Sequence, residues 1–230
     1  MKTLGMIGGS SWVSTVDYYT YINKMVNDKL GGIASAKILM YSMNMEDLFR
    51  FASVKNWDGL AYFLSEIAKK LEGQGAEALV ICANTPHIVA DAIQKNIGIP
   101  LINIAEETAK EIARQKISKA ILLGTMITME QDFFKQRLLK YGIQTVIPEQ
   151  EDREFIHGSI FSELGKWIIL PATKKRYQEI IEGLTTTGKE GVILGCTELP
   201  MLIKQEDCPI ATFDTTLIHA KAAVEFMMSE

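Results

Sequence analysis

The chain has 230 residues, 47% apolar and 23% charged, the balance of a globular protein with a sizeable core and not of a disordered chain. Its net charge is −4, and no run of Lys and Arg is placed to track phosphates, so nucleic acid is not an expected partner. The opening MKTLGMIGGSSW has no signal-type apolar region, and no apolar stretch nears the roughly 20 residues that span a bilayer; the expectation is a cytoplasmic protein with no membrane partner.

Residues 3–8 read as a strand running into a glycine loop, and 36–42 as a second strand. A helix follows over 57–72 (WDGLAYFLSEIAKKLE), then strands at 78–82 and 100–102. The second half repeats the rhythm: helix 104–116, strand 119–123, helices 130–141 and 174–184, and strand 191–195. A last helix over 215–228 (TTLIHAKAAVEFMM) is expected to cross back onto the first half. Short strands separated by helix-length crossovers imply parallel pairing and an α/β fold.

An internal echo supports two similar halves. MIGGSSW at 6–12 is matched by LLGTMIT at 122–128, and LVICANTP at 79–86 by VILGCTELP at 192–200. Gly8 and Gly124 are 116 residues apart, and Cys82 and Cys196 are 114 apart, so two features share nearly one offset. The expected architecture is a pair of parallel-sheet, Rossmann-like subdomains related by a pseudo-twofold, residues 1–103 plus 214–230 and residues 104–213. Parallel sheets bind ligands beyond the carboxyl ends of their strands, so the expected site is a cleft between the halves.

Three cysteines, an odd number at irregular positions, argue against a disulfide framework and leave reduced thiols. In both ICANTPH and LGCTELP a strand ends beside a thiol, and Asn84, Thr85 or Thr197 follows where a helix cap belongs. Such a turn offers backbone N–H groups to a carboxylate and lowers the pKa of a neighbouring thiol. Two matching turns suit inversion at a carbon next to a carboxylate, which needs a base on one face and an acid on the other.

The chain resembles the aspartate/glutamate racemase superfamily, the pyridoxal phosphate-independent two-cysteine type. The resemblance runs nearly end to end through LGMIGGSSWVSTVDYY, ICANTPH, LGTMITMEQDFF, ILGCTELP and FDTTLIHAKAAVEFM, and is nearest to the aspartate racemase and broad-specificity amino-acid racemase branch. It implies a cofactor-independent isomerase acting on free amino acids, usually a homodimer. Catalytic acid/base roles fall on Cys82 and Cys196, and carboxylate binding on Asn84, Thr85 and Thr197. Ser10 and Thr125 line the same cleft in this reading, and Arg50 and Lys166 stand nearest the positions that hold a side-chain carboxylate in aspartate-specific members.

One departure leaves an alternative open. Many two-cysteine members place the first cysteine directly before Asn-Thr, whereas here Ala83 intervenes; some members share this extra residue, with Thr in its place. Successive strand residues point to opposite faces, so either the turn bulges and Cys82 faces the substrate, or Ala83 occupies the slot and Cys196 is the single thiol base.

His87 reads as a supporting partner of the first thiol or as a structural histidine, and Glu198 as an orienting group for Cys196 or as a first-turn acid. Cys208 reads as structural, and His157 and His219 as surface or packing residues. No metal is expected from the ligand spacing, and GMIGGS lacks both the dinucleotide fingerprint and the P-loop lysine. Two rival functions stand beside racemisation: isomerisation or decarboxylation of a small dicarboxylate, and carboxylate binding by a catalytically impaired member.

Overall fold

The computed structural model describes residues 1–229. The chain divides into two compact units, one of Met1–Ile104 with the stretch from His219 onward, the other of Ala105–Ile218.

The first unit runs β1 (Leu4–Gly8), α1 (Trp12–Leu30), β2 (Ile38–Ser42), α2 (Met45–Ala52), α3 (Trp57–Gly73), β3 (Ala78–Ile81), a 3₁₀ turn (Thr85–Val89) and α4 (Ala90–Gln94). Its sheet has the parallel order β2-β1-β3. Every residue of β1 and β3 is buried, as expected of parallel strands covered on both faces, while edge strand β2 is half exposed. Ser11 caps α1 by accepting from the Ser14 N–H, and Asn44 and Asn56 cap α2 and α3 in the same way.

The second unit runs α5 (Ile104–Arg114), β4 (Lys119–Gly124), α6 (Met126–Glu130), α7 (Asp132–Lys140), β5 (Gln144–Val146), α8 (Gln150–Ser162), α9 (Pro171–Leu184), β6 (Gly191–Gly195), α10 (Leu199–Leu202), β7 (Ala211–Asp214) and α11 (Thr215–Met228). The parallel order is β5-β4-β6-β7. The unit division falls within α11, whose later turns pack Ala220, Ala223, Val224 and Met227 against Leu4, Met6 and α1.

Both sheets place their first strand between their second and third, so β1 corresponds to β4 and β3 to β6. The strand expected at 100–102 is reduced to a single bridge, Leu79 to Leu101, in the position that β7 fills beside β6. Pro100 has no N–H to extend that ladder. The helix expected over 130–141 is α7, which starts at Asp132 because Gln131 is extended and separates it from α6, a short helix that was not expected.

Candidate active site

In the first unit, the β1 loop turns at Gly9, whose φ is +88°. A Cβ there would meet the Met43 carbonyl oxygen at 2.0 Å, so only glycine fits. The Gly9 N–H donates to Thr15 Oγ1 at 2.9 Å, and Ser14 Oγ donates to the Cys82 carbonyl at 2.9 Å. These two hydroxyls, which the sequence reading passed over, tie the start of α1 to both loops; their place in the first turn of a capped helix was the available signal. Ser10 is buried, and its Oγ has no hydrogen-bond partner among the described residues.

The β3 ladder continues past Ile81, since the Cys82 N–H donates to the Ile7 carbonyl at 2.9 Å. Cys82 is 0% exposed, and its side chain joins the apolar cluster of Leu4, Met6, Tyr18, Ala78 and Val80. Burial pushes its thiol pKa far up. Ala83 is only partly buried; its N–H turns back to the Ile81 carbonyl at 2.8 Å, and its own carbonyl accepts from His87 Nδ1 at 2.8 Å. Asn84 is buried and Thr85 partly so.

In the second unit, Thr125 caps α6, its Oγ1 accepting from the Thr128 N–H at 3.3 Å. The Met126 N–H donates to His157 Nδ1 at 3.2 Å, so His157 supports that turn. At the end of β6, Cys196 Sγ donates to Glu198 Oε2 at 3.0 Å, and Thr197 Oγ1 donates to the same oxygen at 2.8 Å. All three residues are buried. The Cys196 pKa is raised well above the usual thiol value, first by burial, then by the Glu198 charge and its hydrogen bond, against partial relief from the backbone N–H groups of Thr197 and Glu198. The Cys196 S–H is thus directed at the Glu198 side chain.

Strand register aligns the two turns. Ile7 lies level with Ile81, and Leu123 with Leu194. One step on, Gly124 is level with Gly195, and the Cys82 bond to Ile7 sets Cys82 beside Gly8 in the same way. The counterpart of Cys196 is thus Ala83, not Cys82. The faces agree: Val192, Leu194 and Cys196 point to the α8 and α9 layer, whereas Leu4, Met6 and Cys82 occupy the face whose counterpart in the second unit, Ala120 and Leu122, packs on α5 and α7.

The remaining candidates are more peripheral. Arg50 is exposed on α2, its guanidinium 4.0 Å from Asp47. Lys166 is exposed on the turn Leu164–Lys166. Cys208 is partly buried against the second unit's core, its thiol pushed up to about 11 by burial and by Asp207. Among the described residues there is no group of three His, Cys, Asp or Glu side chains that could hold a metal ion, and no helix long and apolar enough to cross a membrane.

Comparison with known proteins identifies the family. Residues 7–223 match the model of the Asp/Glu/Hydantoin racemase family. A Yersinia pestis structure assigned as an Asp/Glu racemase is 43% identical, with a TM-score of 0.94 over 100% of both chains. PH1733, an aspartate racemase homologue from Pyrococcus horikoshii OT3, is 35% identical with a TM-score of 0.87, again over 100% of both chains. The broad specificity amino-acid racemase RacX of Bacillus subtilis (strain 168) is 27% identical over 157 residues, 68% of this chain and 67% of RacX.

Proposed function

The chain belongs to the Asp/Glu/Hydantoin racemase family, and from that premise we propose that it is a cofactor-independent isomerase that racemises free amino acids, aspartate, glutamate or a broader set, through a thiol acid/base at Cys196. The observation that carries the reading is the Cys196 thiol at a strand end, hydrogen-bonded at 3.0 Å to the buried Glu198 carboxylate, whose same oxygen accepts from the Thr197 hydroxyl at 2.8 Å. Asn84, Thr85, Thr197 and Ser10 hold the substrate carboxylates, with Thr125, Arg50 and Lys166 as further contacts in the same reading.

The chemistry follows from the thiol. Cys196 passes its proton to Glu198, the acceptor 3.0 Å away, and becomes the thiolate. The thiolate takes the α-proton: the C–H bond breaks, an S–H bond forms, and the electron pair spreads into the substrate carboxylate as a planar anion. Return of a proton to either face completes exchange or inversion.

Two forms of the second half-reaction are distinguishable. In the two-thiol form Cys82 serves the other face. In the one-thiol form position 83 does, and because its methyl carries no proton, water supplies one, the hydroxide left behind taking back the proton held by Glu198. The complete burial of Cys82 and the register that pairs Ala83 with Cys196 favour the one-thiol form. Exchange should then outrun inversion.

The test is α-proton exchange by NMR in deuterated buffer, with both enantiomers of aspartate and glutamate and a panel of neutral amino acids. Wild type should incorporate deuterium and Cys196→Ala should not; a fully active Cys196→Ala refutes the mechanism. The methyl at position 83 also favours a second reading, isomerisation or decarboxylation of a small dicarboxylate, which turnover of maleate or a substituted malonate would reveal. Thermal stabilisation by amino acids with no deuterium uptake would instead identify a carboxylate-binding protein. The homodimer belongs to the same proposal, and sedimentation velocity tests it.

A further inference from the structure

The turn after β3 closes around His87. Ala83 has left the strand ladder, Asn84 makes no side-chain capping bond to the 3₁₀ turn that follows, and Pro86 has no N–H to contribute. A carbonyl turned out of the ladder and partly shielded from water is best satisfied by a nearby donor. The Ala83 carbonyl finds it in His87 Nδ1 at 2.8 Å, while the His87 N–H donates to the Asn84 carbonyl at 3.0 Å. One residue therefore closes both ends of the turn that bears Asn84 and Thr85.

The bond to Ala83 also fixes the ring. A carbonyl only accepts, so Nδ1 of His87 carries the hydrogen. The ring is buried and stands edge-on to His219, centroids 5.4 Å apart. His219 is itself held at both nitrogens: Nε2 donates to the Ile102 carbonyl at 2.8 Å, and Nδ1 lies 2.7 Å from the Tyr18 hydroxyl. His219 thus forms a fixed wall behind His87.

We propose that His87 is a positioning residue: through its Nδ1–H bond to the Ala83 carbonyl it sets the direction in which Asn84 and Thr85 present their polar groups to the substrate carboxylate. This rests on the functional reading above. It assigns His87 no proton transfer, so its loss should weaken substrate binding and leave the chemical step nearly intact.

Two variants separate the ring nitrogens. His87→Asn places an amide N–H near the site of Nδ1, whereas His87→Gln places one near Nε2. For the best substrate of the exchange panel, His87→Gln should raise KM about tenfold or more with kcat changed less than about threefold, and His87→Asn should stay within about threefold of wild type in both. Equal loss of kcat in both variants at unchanged KM overturns the proposal, because it marks a proton-transfer role; wild-type behaviour of both overturns it as well. Long-range ¹H–¹⁵N correlation spectra of the wild-type protein give a check independent of variant folding. The proposal expects the Nδ1–H tautomer at His87, and an Nε2–H tautomer refutes it. Failure of the functional reading is a separate result: wild type then exchanges no α-proton on any amino acid, which removes the positioning role, while the Nδ1–H tautomer is still observed.

Discussion

A pair of neighbouring substitutions tests the one-thiol form directly. Cys82 sits in the first unit's core with no exposure, so Cys82→Ala deletes one buried sulfur from a packed apolar site. Lost burial and the small cavity together should cost about 1–2 kcal/mol, a Tm decrease of roughly 2–8 °C for a chain of this size, with α-proton exchange unchanged. Ala83→Cys makes the opposite change: it places a thiol at the register position that matches Cys196, on a residue that is already partly exposed. A positioned acid/base group contributes about 10²–10⁴-fold, so the rate of inversion, read by chiral chromatography, should rise at least about 10²-fold, or roughly 2.7 kcal/mol of barrier. Double substitution should show the two effects independently. If Cys82→Ala stays folded yet loses exchange of one enantiomer by about 10²-fold or more, the thiol of Cys82 reaches the substrate and the register argument fails.

Three further expectations follow from the same geometry. Glu198→Gln removes the charge that, after burial, holds the Cys196 thiol pKa up, so alkylation of Cys196 by iodoacetamide near pH 7 should accelerate; an unchanged rate would show that burial alone sets the thiol, and a slower one that Glu198 acts on it chiefly as proton acceptor. His219 is pushed down to about 3 by burial and by His87, and its ordinary value is 6.5. The unfolded chain therefore takes up a proton below about pH 6.5 that the folded chain refuses until about pH 3, so stability is complete above that window and falls through it. This one group should cost about 2 kcal/mol between pH 7 and pH 5, measured by urea unfolding, and His219→Gln should remove that share of the slope. Gly9→Ala forces a Cβ to within 2.0 Å of the Met43 carbonyl oxygen at a φ of +88°, and should destabilise by at least about 2 kcal/mol; a Tm equal to wild type would contradict the loop geometry.

Much of the fold was legible because its central strands are buried on both faces. Continuous apolar runs such as LVIC and VILG mark parallel strands whatever surrounds them, and β1, β3, β4 and β6 all lie where those runs are. Among the remaining strands only β2, read at 36–42, carries such a run. Gln144–Val146 is three residues long and partly exposed, and Ala211–Asp214 alternates apolar with polar residues, so neither shows the continuous apolar run of a central strand. The run at 100–102 looked like a strand on composition, yet Pro100 leaves it one bridge. Composition reports burial, and burial is only half of what makes an edge strand; the other half is an unbroken row of donors.

The thiol turns show a subtler limit. Residue identity matches Cys82 to Cys196 at a spacing of 114, while the ladder registers align Ala83 with Cys196 at a spacing of 113. That one-residue discrepancy sends the side chain to the other face of the sheet, because the pleat alternates at every step. Sequence comparison within the chain could flag the ambiguity, since the intervening Ala83 was visible, but only the hydrogen bond from Cys82 to Ile7 fixes which residue ends the ladder. The same reasoning explains why Glu198 was harder to read than Cys196. A glutamate after a strand-end cysteine has two ordinary uses, at a helix start or beside the thiol, and its choice is set by where the Thr197 hydroxyl turns. In this fold both the hydroxyl and the thiol converge on one carboxylate oxygen, so the group that steadies the turn is also the one placed to receive the thiol's proton.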